Sequence, residues 1–575
     1  MIKKLAKFLE GYGVQAILTP LLIVGEVGIE VSIPFVIAML IDDGIMGNNI
    51  PFVLEMGALM LGLAFCSLLC GAFAGRTAAV ASVGFAKNLR NALFNRVQDF
   101  SFSNIDKFST PSLITRLTTD VNNVQMSVMM ILRTLVRSPV MLICATAFAI
   151  GINWKLALIF LVAMPILATA VAVGGSVAFP RFIRMLKKYD LINAGVQEDL
   201  AGIRVVKTFV RENHETEKFR KASEELRNAQ IRAEKLIVIA MPLMMLVVYA
   251  CIIVILYLGG NYIVRGDMSI GNLTSFLTYI MQIMMSLMML AMVFVMLILS
   301  RASAQRITEV LDEQSDIVDP EDAVTEAPQD GRIVFEDVTF SYNGSENAAL
   351  SDINLVIESG ETVGIIGGTG SSKSSLVQLI PRLYDATKGC VKVGDRDVRE
   401  YSVKTLRDSV AMVLQKNVLF SGTIRENLLW GNADATDEEI AEACKVACAY
   451  DFVTEFEKGF ETDLGQGGVN VSGGQKQRLC IARALLKKPK IMILDDSTSA
   501  VDTATDASIR RGLKENLRGM TTIIIAQRVA SVMDADKIVV LNDGKIDDVG
   551  KHEELLVRNE IYRDVYNSQM NKEGL

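Results

Sequence analysis

The stretch Thr-Val-Gly-Ile-Ile-Gly-Gly-Thr-Gly-Ser-Ser-Lys-Ser, residues 362–374, decides the fold of the second half of this chain. A short β-branched run enters a glycine-rich turn and leaves it through a lysine and a hydroxyl residue, which is the order of strand, phosphate loop and helix. In such a loop, backbone N–H groups and the helix N-terminus hold the β- and γ-phosphates. The sequence therefore predicts an α/β domain that binds ATP and Mg²⁺. The residues expected at the nucleotide are Gly367, Gly368, Thr369, Gly370, Ser371, Ser372, Lys373, Ser374 and Ser375.

One position of this loop departs from the usual pattern. Ser372 stands directly before Lys373, where a close backbone approach favours glycine because glycine has no Cβ. If Ser372 adopts an unusual φ, the strain is of order 1–3 kcal/mol. Lys373 still supplies a positive charge and Ser374 a hydroxyl for Mg²⁺, so we expect ATP to bind.

Two further motifs follow the loop. Ile491-Met-Ile-Leu-Asp-Asp is an apolar strand that ends in two carboxylates, of which Asp495 is expected to hold Mg²⁺ through water. Val471-Ser-Gly-Gly-Gln-Lys-Gln-Arg opens a helix that runs to Leu486, and its N-terminus forms a second anion site. This second site lies about 100 residues from the phosphate loop, so one ATP need not contact both sites within one chain.

The first 310 residues have a different character, because they hold apolar runs of about 20 residues, enough to cross a hydrocarbon core of roughly 30 Å. Loops 42–50 and 151–154 contain no Lys or Arg, whereas 76–126 and 181–235 contain many. Positive residues favour the cytoplasm, so we expect both termini and the nucleotide domain on the cytoplasmic side of the inner membrane. The approximate spans are 15–41, 53–75, 127–152, 155–178, 236–260 and 273–299.

The two long basic segments are predicted to continue the membrane helices into the cytoplasm. They are rich in Ala, Leu, Lys, Glu and Arg, and a helix over 53–99 would be about 70 Å long. The acidic segment 312–330 contains two prolines and reads as a linker. The expected organisation is thus a six-span all-α membrane domain, 1–311, and an α/β nucleotide domain, 331–575. The net charge of −7 and the absence of a basic block argue against nucleic acid as a partner.

This set of motifs resembles that of the ATP-binding cassette exporters, over essentially the whole chain. Six spans before one nucleotide domain resemble a half-transporter, which implies a head-to-tail dimer with each ATP between one chain's phosphate loop and the other chain's signature. The resemblance implies that Tyr342 stacks on adenine and that Gln415 senses Mg²⁺ and the membrane domain. It assigns Ser472, Gly473, Gly474 and Gln475 to the signature, and Ser499–Asp502 to the loop that crosses the dimer seam.

Two positions depart from the family pattern at the site of hydrolysis. Asp496 stands where the family has the water-orienting glutamate, and it is one methylene shorter. Gln527 stands where the family has a histidine that contacts the γ-phosphate, and the chain's only histidines, His214 and His552, lie elsewhere in the sequence. Loss of a positioned proton-handling group typically costs 10²- to 10⁴-fold in rate. Both departures affect the same hydrolysis step, so their effects on the rate are not multiplied.

A damaged catalytic site beside an intact signature predicts an asymmetric pair. The chain then resembles the degenerate subunit of heterodimeric bacterial exporters, which binds ATP in a slow site. Its Ser472 would complete the catalytic site of a partner half-transporter that carries the full Glu and His. The alternatives are a homodimeric lipid or peptide exporter and a nucleotide-gated regulatory subunit.

The membrane half offers two features that bear on cargo. Glu26 and Glu30 lie one helical turn apart in the first span, and Arg133 and Arg137 have the same spacing in the third. The carboxylates are either a structural pair with these arginines or part of a cavity wall that attracts cationic cargo. A methionine stripe on the sixth span suits a plastic surface for hydrophobic or amphipathic molecules, of multidrug type by resemblance, or else packs and faces lipid. Its candidate cavity residues are Met281, Met285, Met288 and Met292.

Overall fold

The computed structural model describes residues 2–342, 345, 347–497, 500–516 and 519–570. Within these residues the chain forms two compact units. One unit comprises the chain up to Gln98 together with Pro111–Glu313, and the other comprises Asp99–Thr110 together with the chain from Gln314 onwards. The first is all-helical and the second is α/β, which confirms the predicted fold class.

Long helices build the first unit. Five segments of the described residues are long and apolar enough to cross a membrane: Gly13–Ile45, Ile50–Gln98, Thr110–Ile152, Met245–Val264 and Ile270–Asp312. The span predicted at 155–178 lies in one continuous helix, where the described side chains give a shorter apolar run, Trp154–Leu167. The helices up to the linker are α1 (Ile2–Ala6), α2 (Gly13–Met39), α3 (Ile50–Gln98), α4 (Phe102–Phe108), α5 (Thr110–Thr115), α6 (Val121–Ile152), α7 (Trp154–Ala201), α8 (Ile203–Thr208), α9 (Glu212–Val264) and α10 (Ile270–Asp312).

The predicted helical extensions are present, and side-chain caps mark where they begin. Helix α3 runs unbroken for 49 residues, which is about 74 Å. The Asn153 side chain accepts from the N–H groups of Lys155 and Leu156 at the start of α7, and Ser269 accepts from the N–H of Asn272 at the start of α10. Such caps satisfy amide groups that lack a partner within the helix, so they fix these helix starts.

Apolar residues of α2, α6, α7, α9 and α10 form the core of the membrane unit. Ile23, Val27 and Val31 recur at every fourth position of α2 and are fully buried. From α10, the Tyr279 hydroxyl donates to the Val31 carbonyl oxygen at 2.9 Å. A buried hydroxyl that makes a hydrogen bond has only a small unfavourable free energy of burial. This contact therefore fixes α10 against α2.

The segment around α4 lies between two membrane helices in the sequence but belongs to the nucleotide unit. It groups with the nucleotide unit, because Ser103 donates to Asp316 at 2.7 Å and the Asn104 amide donates to the Gln314 carbonyl oxygen at 3.1 Å. Helix α4 ends at Phe108, and Ser109 after it has a φ of +58°. These are contacts between distant parts of the chain, which sequence periodicity does not reveal.

Two sheets organise the nucleotide unit. A four-stranded sheet has the order β2-β1-β4-β5, and a six-stranded sheet has the order β10-β9-β3-β8-β7-β6, parallel except for β10. The strands are β1 (Ile333–Phe340), β2 (Leu350–Ile357), β3 (Thr362–Gly367), β4 (Lys388–Val393), β5 (Arg396–Asp397), β6 (Val410–Val413), β7 (Ile491–Asp495), β8 (Thr521–Ile525), β9 (Lys537–Asn542) and β10 (Lys545–Gly550). The helices are α11 (Lys373–Gln378), α12 (Val403–Ser409), α13 (Ile424–Leu429), α14 (Asp437–Val446), α15 (Tyr450–Glu455), α16 (Gly473–Leu486), α17 (Thr503–Asn516), α18 (His552–Arg558) and α19 (Glu560–Met570).

The parallel strands are buried on both faces, which explains their continuous apolar sequences. In β7, Ile491 and Ile493 join one hydrophobic core, whereas Met492 and Leu494 join the other. Strands β3, β8 and β7 are neighbours, so their carboxyl ends meet at one edge of the sheet. That edge is where ligands bind in open parallel sheets, and it carries the phosphate loop after β3, the two carboxylates at the end of β7 and Gln527 after β8.

Candidate nucleotide site

The phosphate loop has the strained geometry that its sequence predicts. Ser372, directly before α11, has φ +65° and ψ +27°, in the left-handed region that disfavours residues with a Cβ. Gly370 has a φ of +87°. A Cβ on Gly367 would lie 2.1 Å from the Leu541 carbonyl oxygen, so this turn packs directly on β9. The loop therefore keeps its shape although serine replaces glycine at position 372.

Lys373 is folded onto the loop that it follows. Its Nζ donates to the carbonyl oxygens of Gly367 at 3.0 Å and Gly368 at 2.7 Å, and to the Ser371 hydroxyl at 3.2 Å. Burial lowers the pKa of this ammonium, which the charges of Asp495 and Asp496 partly oppose. Phosphate oxygens are stronger acceptors than carbonyls, so a nucleotide can take over these donors.

Ser374 and Asp495 form a set of oxygen ligands suited to Mg²⁺. The Ser374 hydroxyl donates to Asp495 Oδ1 at 3.0 Å, and the Asp495 carboxyl is almost fully buried. Burial raises its pKa and the nearby Asp496 charge adds to the shift, whereas the Ser374 hydrogen bond and Lys373 oppose it. Mg²⁺ prefers oxygen ligands and is usually held by one or two carboxylates plus substrate phosphates. These residues fit a Mg·ATP site, in which bound Mg²⁺ would neutralise phosphate charge.

The two departing positions lie together with Gln415. Gln527 Nε2 donates to Asp496 Oδ2 at 2.9 Å, and Gln415 Nε2 is 3.5 Å from the same oxygen. The Asp496 backbone has a φ of +47° and its N–H donates to the Ile525 carbonyl oxygen at 3.0 Å. Parallel pairing of β7 with β8 brings these side chains together. The Asp496 carboxylate is thus held by amide groups, which donate hydrogen bonds but do not act as acids or bases at neutral pH.

Sequence reasoning missed a residue that holds this segment. Gln569 of α19 donates from Nε2 to the Gln527 carbonyl oxygen, and its Oε1 accepts from the Val529 N–H, both at 2.8 Å. His552 does not substitute for the missing histidine, because its Nδ1 is bonded to the Tyr562 hydroxyl at 2.7 Å. No local pattern marks Gln569, since its partners lie about 40 residues earlier.

The predicted adenine residue borders a cavity of about 570 Å³. The Tyr342 hydroxyl is hydrogen-bonded to the Ser375 hydroxyl at 2.8 Å, which places the ring beside α11. Tyr384 meets Tyr342 edge to face at 5.3 Å and donates from its hydroxyl to Asp106 of α4 at 2.7 Å. Burial raises the pKa of Tyr384, and the Asp106 carboxylate adds to that shift. Neither Tyr384 nor Asp106 was expected here from the sequence.

The signature forms a capped helix N-terminus. The Ser472 hydroxyl accepts from the Gln475 N–H at 3.3 Å, and Gln475 Oε1 accepts from the Ser472 N–H at 2.8 Å. A Cβ on Gly474 would lie 2.8 Å from the Ala500 carbonyl oxygen, so α16 packs against the segment before α17. In that segment Asp502 Oδ1 accepts from the Thr505 N–H at 2.9 Å, whereas Ser499 lies outside the described residues. Helix α16 is 14 residues long, and Ser472 and Gly473 at its start are exposed.

In the membrane unit a single arginine bridges both glutamates. Arg137 Nη1 lies 2.6 Å from Glu26 Oε1, and Nη2 lies 2.6 Å from Glu30 Oε2. The Glu26 side chain is 13% exposed and that of Glu30 is 34% exposed. The pairing with Arg137 favours the structural alternative, and a role in the cavity wall stays a prediction.

The methionine stripe divides between core and surface. Met281, Met285 and Met292 are exposed on α10, Met288 is half-buried, and Met284 lies in the core with 3% exposure. The candidate cavity residues therefore lie mostly on the exposed side of this helix. Their role toward cargo remains a prediction.

Comparison with known proteins supports the architecture along the whole chain. Residues 16–287 match the family model for the ABC transporter transmembrane region, and residues 350–499 match the model for the ABC transporter domain. The chain is 36% identical over 577 residues to an uncharacterised ABC transporter ATP-binding protein, YfiB of Bacillus subtilis, with 100% of this chain and 99% of that protein covered.

Two further matches bear on function and fold. An ATP-dependent lipid A-core flippase of Syntrophus aciditrophicus is 32% identical over 486 residues, which cover 84% of this chain and 80% of the relative. The structure of a bacterial Atm1-family ABC exporter with ATP bound aligns with a TM-score of 0.81 over 98% of each chain, at 23% identity. At that identity the match shows a shared fold.

Proposed function

Because the chain belongs to the ABC transporter family and is built as an exporter half-transporter, we propose that it exports hydrophobic or amphipathic compounds as one half of a heterodimer. In this proposal ATP binds at the chain's own phosphate loop and turns over slowly there. Ser472 and the start of α16 complete a second site, on a partner that carries the full glutamate and histidine.

The contact between Gln527 and Asp496 carries the proposal. The shorter Asp496 side chain is engaged at 2.9 Å by an amide that cannot take up or deliver a proton. Loss of positioned acid–base groups reduces a rate by about 10²- to 10⁴-fold. Lys373 on the phosphate loop and the hydrogen-bonded pair of Ser374 and Asp495 support binding of Mg·ATP. The combination supports retention of ATP without rapid hydrolysis.

The signature supports a contribution in trans. Its capping box leaves the start of α16 well formed, and the unpaired amides at a helix N-terminus attract anions. A partner's γ-phosphate is the anion that this surface would meet in a head-to-tail dimer. An undamaged signature has a purpose only if the opposite site hydrolyses ATP, which argues against a purely regulatory subunit.

A second candidate is a homodimeric lipid exporter, and one observation favours its lipid cargo. The relative from Syntrophus aciditrophicus is named a lipid A-core flippase, and it shares 32% identity with this chain. The exposed methionines of α10 suit either lipid or smaller amphipathic cargo, because methionine adapts to ligands of different shape. The dimer type therefore has to be tested separately from the cargo.

ATP turnover in lipid vesicles tests the proposal. The purified chain is assayed alone and after co-expression with a half-transporter that carries the full glutamate and histidine. We expect turnover from the pair and at least about 100-fold less from the chain alone. Rapid turnover by the chain alone that Lys373→Ala abolishes would contradict the heterodimer and favour the homodimeric exporter. Transport without turnover by the pair would instead indicate nucleotide-gated conduction.

A further inference from the structure

A cavity of about 870 Å³ lies wholly within the membrane unit, between α1, the C-terminal half of α3, α6 and α10. Its walls are mainly apolar, and they include Leu5, Phe85, Leu132 and Leu297. Leu5 and Phe85 are buried beneath it, whereas Leu132 and Leu297 are half-buried along its sides. This volume falls in the range of sites that enclose a small organic ligand.

The charged side chains that line the cavity are both basic. Lys3 of α1 and Arg301 of α10 are exposed at its edge. Within the part of the chain that the structure describes, neither has a carboxylate at ion-pair distance. The adjacent Lys4 does pair with Asp312 at 2.7 Å, and this contact holds α1 against α10. The edge of the cavity is therefore positively charged and complementary to an anion.

The sequence of each helix gives the cavity a polar end and an apolar end. Leu297 precedes Arg301 by one turn of α10, within the segment that is apolar enough to span a membrane. On α6 the lining runs from Val124 to Leu135, a rise of about 16 Å. The basic residues thus lie at the membrane boundary, and the leucines continue toward the hydrocarbon. Excess Lys and Arg mark this boundary as the cytoplasmic one.

We propose that this cavity binds an anionic phospholipid of the cytoplasmic leaflet, with the phosphate at Lys3 and Arg301 and one acyl chain along Leu132 and Leu297. Basic pockets between membrane helices on the cytoplasmic side bind anionic head groups. Burial of the methylenes of this chain adds to the affinity. Because the site uses no residue of the ATP motifs, lipid binds whether or not the heterodimer hypothesis is correct.

Native mass spectrometry of the full chain tests the head-group part of this proposal. Phosphatidylglycerol and phosphatidylcholine with identical acyl chains are added to the detergent-solubilised protein. The unaltered chain is expected to bind phosphatidylglycerol more tightly than phosphatidylcholine. Lys3→Gln with Arg301→Gln should weaken that binding by about fivefold for each lost charge, since one basic residue near a membrane surface contributes about 1 kcal/mol. Lys7→Gln is the matched control, because Lys7 has the same charge just after α1 but does not line the cavity.

Ala6→Trp tests the apolar part. Ala6 lines the cavity and is exposed, so the indole can enter the cavity without displacing the core. We expect the Ala6→Trp variant to lose binding of both lipids, whereas the Lys7→Trp variant should still bind them. Equal binding of the two lipids by the unaltered chain would overturn the proposal, as would full retention of phosphatidylglycerol by the double variant. Lipid bound to the single chain but not to its dimer would also overturn it, because a second copy would then cover the cavity.

Discussion

Restoring the two departing positions should make the chain's own ATP site catalytic. The variant carries Asp496→Glu and Gln527→His, and it is paired with a half-transporter whose own catalytic glutamate is changed to glutamine, so that turnover reports on this chain's site alone. The 2.9 Å contact between Gln527 and Asp496 shows that the ends of β7 and β8 already bring the two side chains together. Both substitutions therefore act on side chains that already meet.

The expected gain is about 100-fold in phosphate release, equivalent to about 2.7 kcal/mol of transition-state stabilisation. Asp496→Glu alone should gain less than about tenfold, because Gln527 still supplies no proton-handling group. It should also cost about 1 kcal/mol of stability, since Asp496 has a φ of +47° and the left-handed region favours aspartate over longer side chains.

The control adds Lys373→Ala to the double variant, and it should abolish the gained activity. Phosphate release by the unaltered chain beside the silenced partner, at the rate of the intact pair, would contradict this prediction. Asp496 and Gln527 would then suffice for catalysis as they stand.

Three further outcomes follow from the described contacts. Ser372→Gly should raise the free energy of unfolding by about 1 kcal/mol, because the backbone φ of +65° at this position suits glycine. Thermal unfolding measures this change, and an unchanged or lowered Tm would contradict it. Arg137→Met should lower the free energy of unfolding by about 3 kcal/mol, because it leaves the Glu26 and Glu30 carboxylates unpaired. Changing both glutamates to glutamine in the same variant should recover most of this loss in the thermal unfolding assay. Asp495→Asn should reduce the ratio of the ATP affinity in Mg²⁺ to that in EDTA, measured by titration, because Ser374 and the phosphates remain as ligands but the carboxylate is lost. An unchanged ratio would contradict a role for Asp495 in holding the metal.

The elements that follow from short patterns could be predicted from the sequence. The glycine turn after β3, the two carboxylates after β7 and the serine cap of α16 each occupy a few consecutive residues, so their local geometry follows from local chemistry. The long helix α3 likewise follows from an uninterrupted run of helix-forming residues.

Contacts between distant segments could not be predicted in this way. Gln569 reaches Gln527 only because α19 packs back on the segment after β8. The sequence offered Arg133 and Arg137 equally as partners for the glutamates, and the rotation of α6 brings Arg137 between them. The grouping of α4 with the nucleotide unit depends in the same way on side chains such as Asp106 that meet residues far along the chain.

Two substitutions in the intact pair test whether this chain completes its partner's site while its own site is slow. Ser472→Ala should reduce ATP turnover by about 10²-fold or more, as loss of one donor to a reacting oxyanion does. Lys373→Ala should reduce it by less than about tenfold. Thr436→Ala is the matched control, because it removes an equivalent capping box from α14 without touching the signature. Equal loss from Ser472→Ala and Lys373→Ala would contradict the asymmetric pair.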